Sequence, residues 1–152
     1  MALALLGFFT NTTAEAGGPY VFFSVTPCRL ADTRDPTGPT GGPFLTSGFV
    51  RSFPTYGSSA RVCGIPSTAK AVAINGTVVG PTGDGFLVMF PYNTPVPGVS
   101  TINFVAGEPA LANGQLVALT SDPTLQLSVH PFIGGGGTAH LVLDITGYFQ
   151  EP

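Results

Sequence analysis

What most restricts this chain is how often it is interrupted. Proline and glycine, 15 and 21 of them in 152 residues, recur so closely that no stretch of ten or more residues keeps a helical apolar period. Proline removes a helix hydrogen bond, and glycine spends backbone entropy, so ordinary helices are excluded. What fits between the breaks is a series of short extended segments recurring about every ten residues.

The segments can be placed in order. Tyr20–Thr26 is aromatic and β-branched and stops at Pro27, and Cys28–Arg34 reads as a second short extended piece. Asp35–Pro43, with three prolines and three glycines, is a loop. Gly48–Phe53 is a strand, followed by a loop through Tyr56–Ser59 into Cys63–Pro66. Lys70–Val79 and Phe86–Phe90 flank Gly80–Gly85, whose Asp84-Gly85 is a hairpin signal, so these two strands are expected to pair. Ser100–Val105, Gln115–Thr120 and Leu125–Phe132 follow, with Ser121-Asp122-Pro123 turning between the last two. In Leu125–Phe132 the alternation places Leu125, Leu127 and Val129 on one face and Gln126, Ser128 and His130 on the other. Gly134–Gly137 turns into the longest strand, Ala139–Phe149, with Leu141, Leu143, Ile145 and Phe149 opposite His140, Asp144, Thr146 and Tyr148. The prediction is an all-β, two-sheet β-sandwich over residues 20–152, jelly-roll or Ig-like, with eight or nine short strands.

Ahead of it, residues 1–19 form an apolar extension and linker. Residues 1–9 are uncharged and almost wholly apolar, a strip that must be removed or covered. One reading is a β-strand that docks into a partner subunit through Ala2, Leu3, Ala4, Leu5, Leu6, Phe8 and Phe9, apolar on both faces as a slot inside a sandwich requires. Besides the remaining case of an ordinary edge strand of the same subunit, the other leading reading is a secretory signal peptide over residues 1–16, with Ala14-Glu15-Ala16 as the cleavage site, though Lys and Arg are missing before the apolar run. Both leading readings place the protein outside the cytoplasm, extracellular or on the cell surface. The chain is 43% hydrophobic and only 9% charged, with mean hydropathy +0.37. Those values exclude disorder and suggest that assembly hides apolar surface one domain cannot.

Other chemistry finds little purchase. A net charge of −3 with five scattered basic residues offers no surface for nucleic acid. No apolar run reaches the roughly 20 residues of a membrane-spanning helix. Two cysteines, Cys28 and Cys63, suit one disulfide in an oxidising compartment, with two separate buried thiols as the other reading. Ser58-Ser59 has no histidine near it in sequence, and the G-x-S-x-G elbow is absent. His130 and His140 flank the glycine turn and could sit on neighbouring strands as a metal pair, but with the cysteines they match no zinc spacing and read as surface or interface residues. Gly134–Gly137 lacks the Lys-Ser/Thr ending of a phosphate loop. Asp32 and Asp35 do not suggest an acid/base pair, and the Asp35–Gly42 loop offers one carboxylate to calcium. No enzyme activity and no cofactor are expected. Of two N-x-[ST] sequons, the one at Asn75 falls inside a strand, leaving Asn11 as the candidate glycan site.

The ordered motifs Thr26-Pro-Cys-Arg-Leu-Ala-Asp-Thr-Arg34, Cys63-Gly-Ile-Pro66, Gly85-Phe-Leu87, Ser100-Thr-Ile-Asn103 and His140–Phe149 resemble a domain that recurs in secreted and cell-surface bacterial proteins. The resemblance covers about Phe22–Gln150 and carries no established activity. It implies an extracellular β-domain in which Cys28 and Cys63 form a disulfide and Asp32 with Arg34 a local polar clasp. Asp32, Arg34 and Asp144 then read as structural. Residues 1–19 lie outside it, an added device like the donor strand of filament subunits.

The expected function is therefore that of a structural subunit of an extracellular filament, polymerising head-to-tail with copies of itself by insertion of the N-terminal strand into the neighbour. The alternative is a secreted cell-surface module binding polysaccharide, with Tyr20, Tyr56, Tyr92 and Tyr148 as sugar-stacking residues.

Overall fold

The computed structural model describes residues 17–152. Its strands are β1 (Val21–Asp32), β2 (Leu45–Thr46), β3 (Arg51–Phe53), β4 (Ala71–Val79), β5 (Gly85–Pro91), β6 (Ile102–Phe104), β7 (Ala110–Ala118), β8 (Leu127–Ile133) and β9 (Thr138–Gln150), with a 3-10 turn at Gly134–Gly136. Among the described residues there is no α-helix, as the density of breaks requires.

One sheet runs β1-β9-β4-β7, with β2 also paired to β9, and the other runs β3-β8-β5-β6. The antiparallel pairs β1/β9, β3/β8, β4/β7 and β5/β6 nest inside one another, first strand with last and, passing over the two-residue β2, third with second-to-last. A ribbon of strand pairs wound in this way is a jelly roll, so of the two expected sandwiches the Ig-like order is excluded.

Winding overturns the expected hairpin. β4 does not pair with β5; its two edges are taken by β7 and β9, while β5 pairs with β6 and β8. Gly80–Gly85 instead carries the chain from one sheet to the other. There Asp84 Oδ1 accepts the Ala106 N–H at 2.7 Å, and a side chain at Gly85 would collide with the Phe132 carbonyl. The Asp-Gly pair therefore serves close backbone approach rather than a two-residue turn.

Two strands are bulged. The expected break at Pro27 is a register shift, not an end, so Tyr20–Thr26 and Cys28–Arg34 belong largely to one twelve-residue β1. On β9, Ala73 pairs with Gly147 but Ile74 with Ile145, leaving Thr146 as an extra residue. One added residue reverses which face later side chains take. The expected facing fails beyond that point: Tyr148, cross-strand from buried Val72, packs against the core, and Phe149 does not.

The core lies between the sheets. Leu141, Leu143 and Ile145 of β9 and Val72, Ile74 and Val78 of β4 meet Phe53, Leu87, Leu127 and Val129 from the facing sheet. Each such side chain contributes about 1.5–3 kcal/mol on full burial. Gln126 and Ser128, expected to face away from Leu127, are also buried. Ser128 Oγ lies 2.9 Å from Ser52 Oγ across β3/β8. Gln126 precedes β8 and is 0% exposed. Its Oε1 accepts the Thr55 N–H (2.7 Å) and hydroxyl (3.2 Å), and its Nε2 donates to the Asp122 carbonyl (2.7 Å). An amide satisfied on both ends can be buried at low cost.

Candidate functional site: sheet edges, clasp and aromatic trough

The candidate polymerisation residues Ala2, Leu3, Ala4, Leu5, Leu6, Phe8 and Phe9, the Asn11 sequon and the Ala14-Glu15-Ala16 cleavage motif lie outside the described residues. Cys28 and Cys63 form the disulfide. It joins β1 to the loop after β3 across 35 residues, with Cα atoms 5.5 Å apart. The pairing decides between the readings the cysteine count left open.

Beside it is the clasp. Arg29 and Asp144 are cross-strand partners on β1 and β9, and Arg29 Nε donates to Asp144 Oδ1 at 2.6 Å. Arg29 Nη1 also reaches Asp32 Oδ2 at 2.9 Å. The buried Asp32 carboxylate accepts Arg34 Nε at 2.8 Å, Arg34 Nη2 at 2.7 Å and the Arg34 backbone N–H at 3.1 Å. These bonds from Arg34, against the opposing effect of burial, hold the Asp32 carboxyl well below the usual carboxylate range, and the Arg29 charge adds to them. Asp32 and Arg34 thus form the local clasp, with Arg29 carrying it across to β9.

The Gly/Pro loop has an anchor that sequence reasoning missed. Arg51, on β3, donates to the carbonyls of Gly38 and Gly42 at 3.2 and 2.9 Å and also to those of Pro43 and Gly41. Burial pushes its pKa down, and its guanidinium sits 5.0 Å from the Phe53 ring centroid. Four carbonyls of the loop thus already face a cation. The loop carboxylate, Asp35, pairs with Arg61 at 2.5 Å. With Lys70 at 3.4 Å from Glu151, each of the five basic residues is engaged. The signal for Arg51 was a lone arginine just after a carbonyl-rich loop, but its direction is a tertiary fact.

The two histidines do not sit on neighbouring strands. His130 is on β8 in the second sheet, its ring 4.3 Å from Phe132. His140 is on β9 in the first, with Nδ1 3.1 Å from Thr33 Oγ1. No group of three or more His, Cys, Asp or Glu side chains suited to a metal occurs among the described residues. Of the four tyrosines, Tyr56 and Tyr148 pack against the core, and the Tyr56 hydroxyl donates to the Asp122 carbonyl at 3.2 Å.

Apolar surface is exposed at several places, among them the loop around Phe44, Phe49 and Val50. The outer face of the second sheet carries Phe86 and Phe132, stacked at 4.7 Å, in a trough of about 530 Å³ with Val88, Val96, Val99 and Asn103. Among the described residues, the outer strands of the first sheet are β1 and β7, with no further strand paired beyond them. The start of β1 exposes Val21, Phe22 and Phe23, with Phe22 against Phe149 at 5.1 Å and Phe23 stacked on Tyr148 at 5.3 Å. On β7, Leu116 is 66% exposed. No helix among the described residues is long and apolar enough to cross a membrane. The sequence matches no protein-family model and none of the curated proteins it was compared with.

Proposed function

We propose that the protein is a structural subunit of an extracellular filament, in which residues 2–9 of one copy add as a strand to the sandwich of the next. The observation that carries this is that, among the described residues, β1 and β7 are the outer strands of the first sheet, and the unpaired N–H and C=O groups of an outer strand are templates for a further strand. The same chain holds an uncharged eight-residue segment, apolar on both faces, with Leu3, Leu5, Leu6, Phe8 and Phe9 to bury. Residues 10–19 would link the copies, and the Cys28–Cys63 disulfide suits the oxidising space outside the cytoplasm. Electron microscopy of the purified full-length chain is expected to show polymers that disappear when residues 2–9 are deleted. Monomers at every concentration, from a chain that keeps residues 2–9, would refute the proposal.

The second reading, a cell-surface module for polysaccharide, draws on the Phe86/Phe132 trough with Asn103 at its side. Under it the deletion of residues 2–9 leaves ligand binding intact and Phe132→Ala removes it.

A further inference from the structure

Among the described residues the two sheets have four outer strands, and three of them are blunted. β1 contains Pro27, Arg29 and two register shifts, all of which disfavour continuous strand addition. β3 is three residues long, begins with Arg51 and is followed by Pro54. β6 is also three residues long, and beside it the Thr101 carbonyl already accepts the Asn113 side chain at 2.8 Å. β7 shares that last bond, through its own Asn113, but differs in length, composition and regularity. It is nine residues long, without charge or proline, and pairs with β4 through nine consecutive partners without a bulge.

We infer that the β7 edge is the acceptor for residues 2–9 of a neighbouring copy, an assignment that rests on the filament reading. The lengths agree: eight residues extend about 27 Å and nine about 31 Å at roughly 3.4 Å per residue. The chemistry agrees as well, since neither segment carries a charge. Side chains on one face of the added strand would cover Ala112, Leu116 and Ala118, exposed along β7. A side chain beside Gly114 meets open space. The topology explains why the contact propagates: β1, which follows the extension, and β7 are opposite edges of one sheet, so donor and acceptor do not coincide. Such a heterologous contact need not close.

The test uses full-length chains, whose two native cysteines are already joined. Chains carrying Leu5→Cys are mixed with chains carrying Ala112→Cys and treated with a short bismaleimide. Covalent dimers are expected from this mixture and not from one in which Phe22→Cys on β1 replaces Ala112→Cys. In parallel, Leu116→Lys should raise the concentration needed for polymer roughly tenfold or more by placing a charge on the edge, with an unchanged melting temperature showing that the fold is intact. Cross-linking to Phe22→Cys, or normal polymer from a folded Leu116→Lys chain, overturns the β7 assignment and leaves the filament standing. Ala112→Cys chains joining each other, with no bond to Leu5→Cys, mean that β7 pairs with a second β7, which also overturns it. In a chain carrying both substitutions, a bond formed within the chain at every concentration means that the segment folds back on its own β7, and both proposals fall.

Discussion

Replacing Gln126 by leucine keeps the volume nearly constant and removes a polar connection buried at 0% exposure. The Thr55 N–H and hydroxyl and the Tyr56 N–H lose their acceptor, and the Asp122 carbonyl keeps only the Tyr56 hydroxyl as a donor. A buried polar group left without a partner costs about 1–3 kcal/mol. The Thr55 N–H, at 2.7 Å the tightest of the donors to Oε1 and flanked by buried Thr55, sets most of the loss. The added apolar contact offsets part of it, so Gln126→Leu should destabilise by about 3 kcal/mol. For a chain of 152 residues that is a drop of about 6–12 °C in melting temperature. Urea titration gives the loss directly, provided the transition is two-state. A double-mutant cycle with Thr55→Val isolates the hydroxyl, and a coupling near 1 kcal/mol is expected. A loss under about 1 kcal/mol, or additivity within about 0.3 kcal/mol, would refute the view that Gln126 ties the segment after β3 to the start of β8.

The remaining predictions concern the clasp, the disulfide and the loop. Asp32 has a folded pKa depressed from its ordinary 3.8, so its contribution is present above about pH 4 and lost as the pH falls below that, with Asp32→Asn flattening the acid limb of a stability-against-pH curve. An acid limb that Asp32→Asn leaves unchanged would assign it to other carboxyls. Reducing Cys28–Cys63, which closes a separation of 35 residues, should cost about 4 kcal/mol on the chain-entropy view, read as a lower urea midpoint in reductant. No change on complete reduction would show that β1 is held without it. Arg51→Met should cost about 2 kcal/mol by removing the cation shared among the loop carbonyls. It should also speed amide exchange at Gly38, Gly41 and Gly42, whose N–H groups are bonded within that loop; unchanged exchange would mean that the loop holds its own shape.

The sequence by itself determined the class of fold, because helix exclusion by proline and glycine is local chemistry that no tertiary arrangement can undo. It also placed the centres of most strands, including the long β9, through their apolar and β-branched runs. Strand partners were another matter. Asp84-Gly85 is a local hairpin signal, but β4 pairs with β7 and β9, whose sequences lie at least thirty residues away, and a local signal cannot report which distant edge competes for it. The same holds for Tyr148 and Phe149, exchanged by one bulge at Thr146, and for Gln126, whose partners come from two loops. At the candidate site, the cysteine pair was legible as a motif, while residues 2–9 are legible only as an apolar composition and lie outside the described residues. The uncharged run of β7 was visible but mute, since an apolar strand means core in the middle of a sheet and an open template at its rim, and only the winding of the chain decided that β7 stands at the rim.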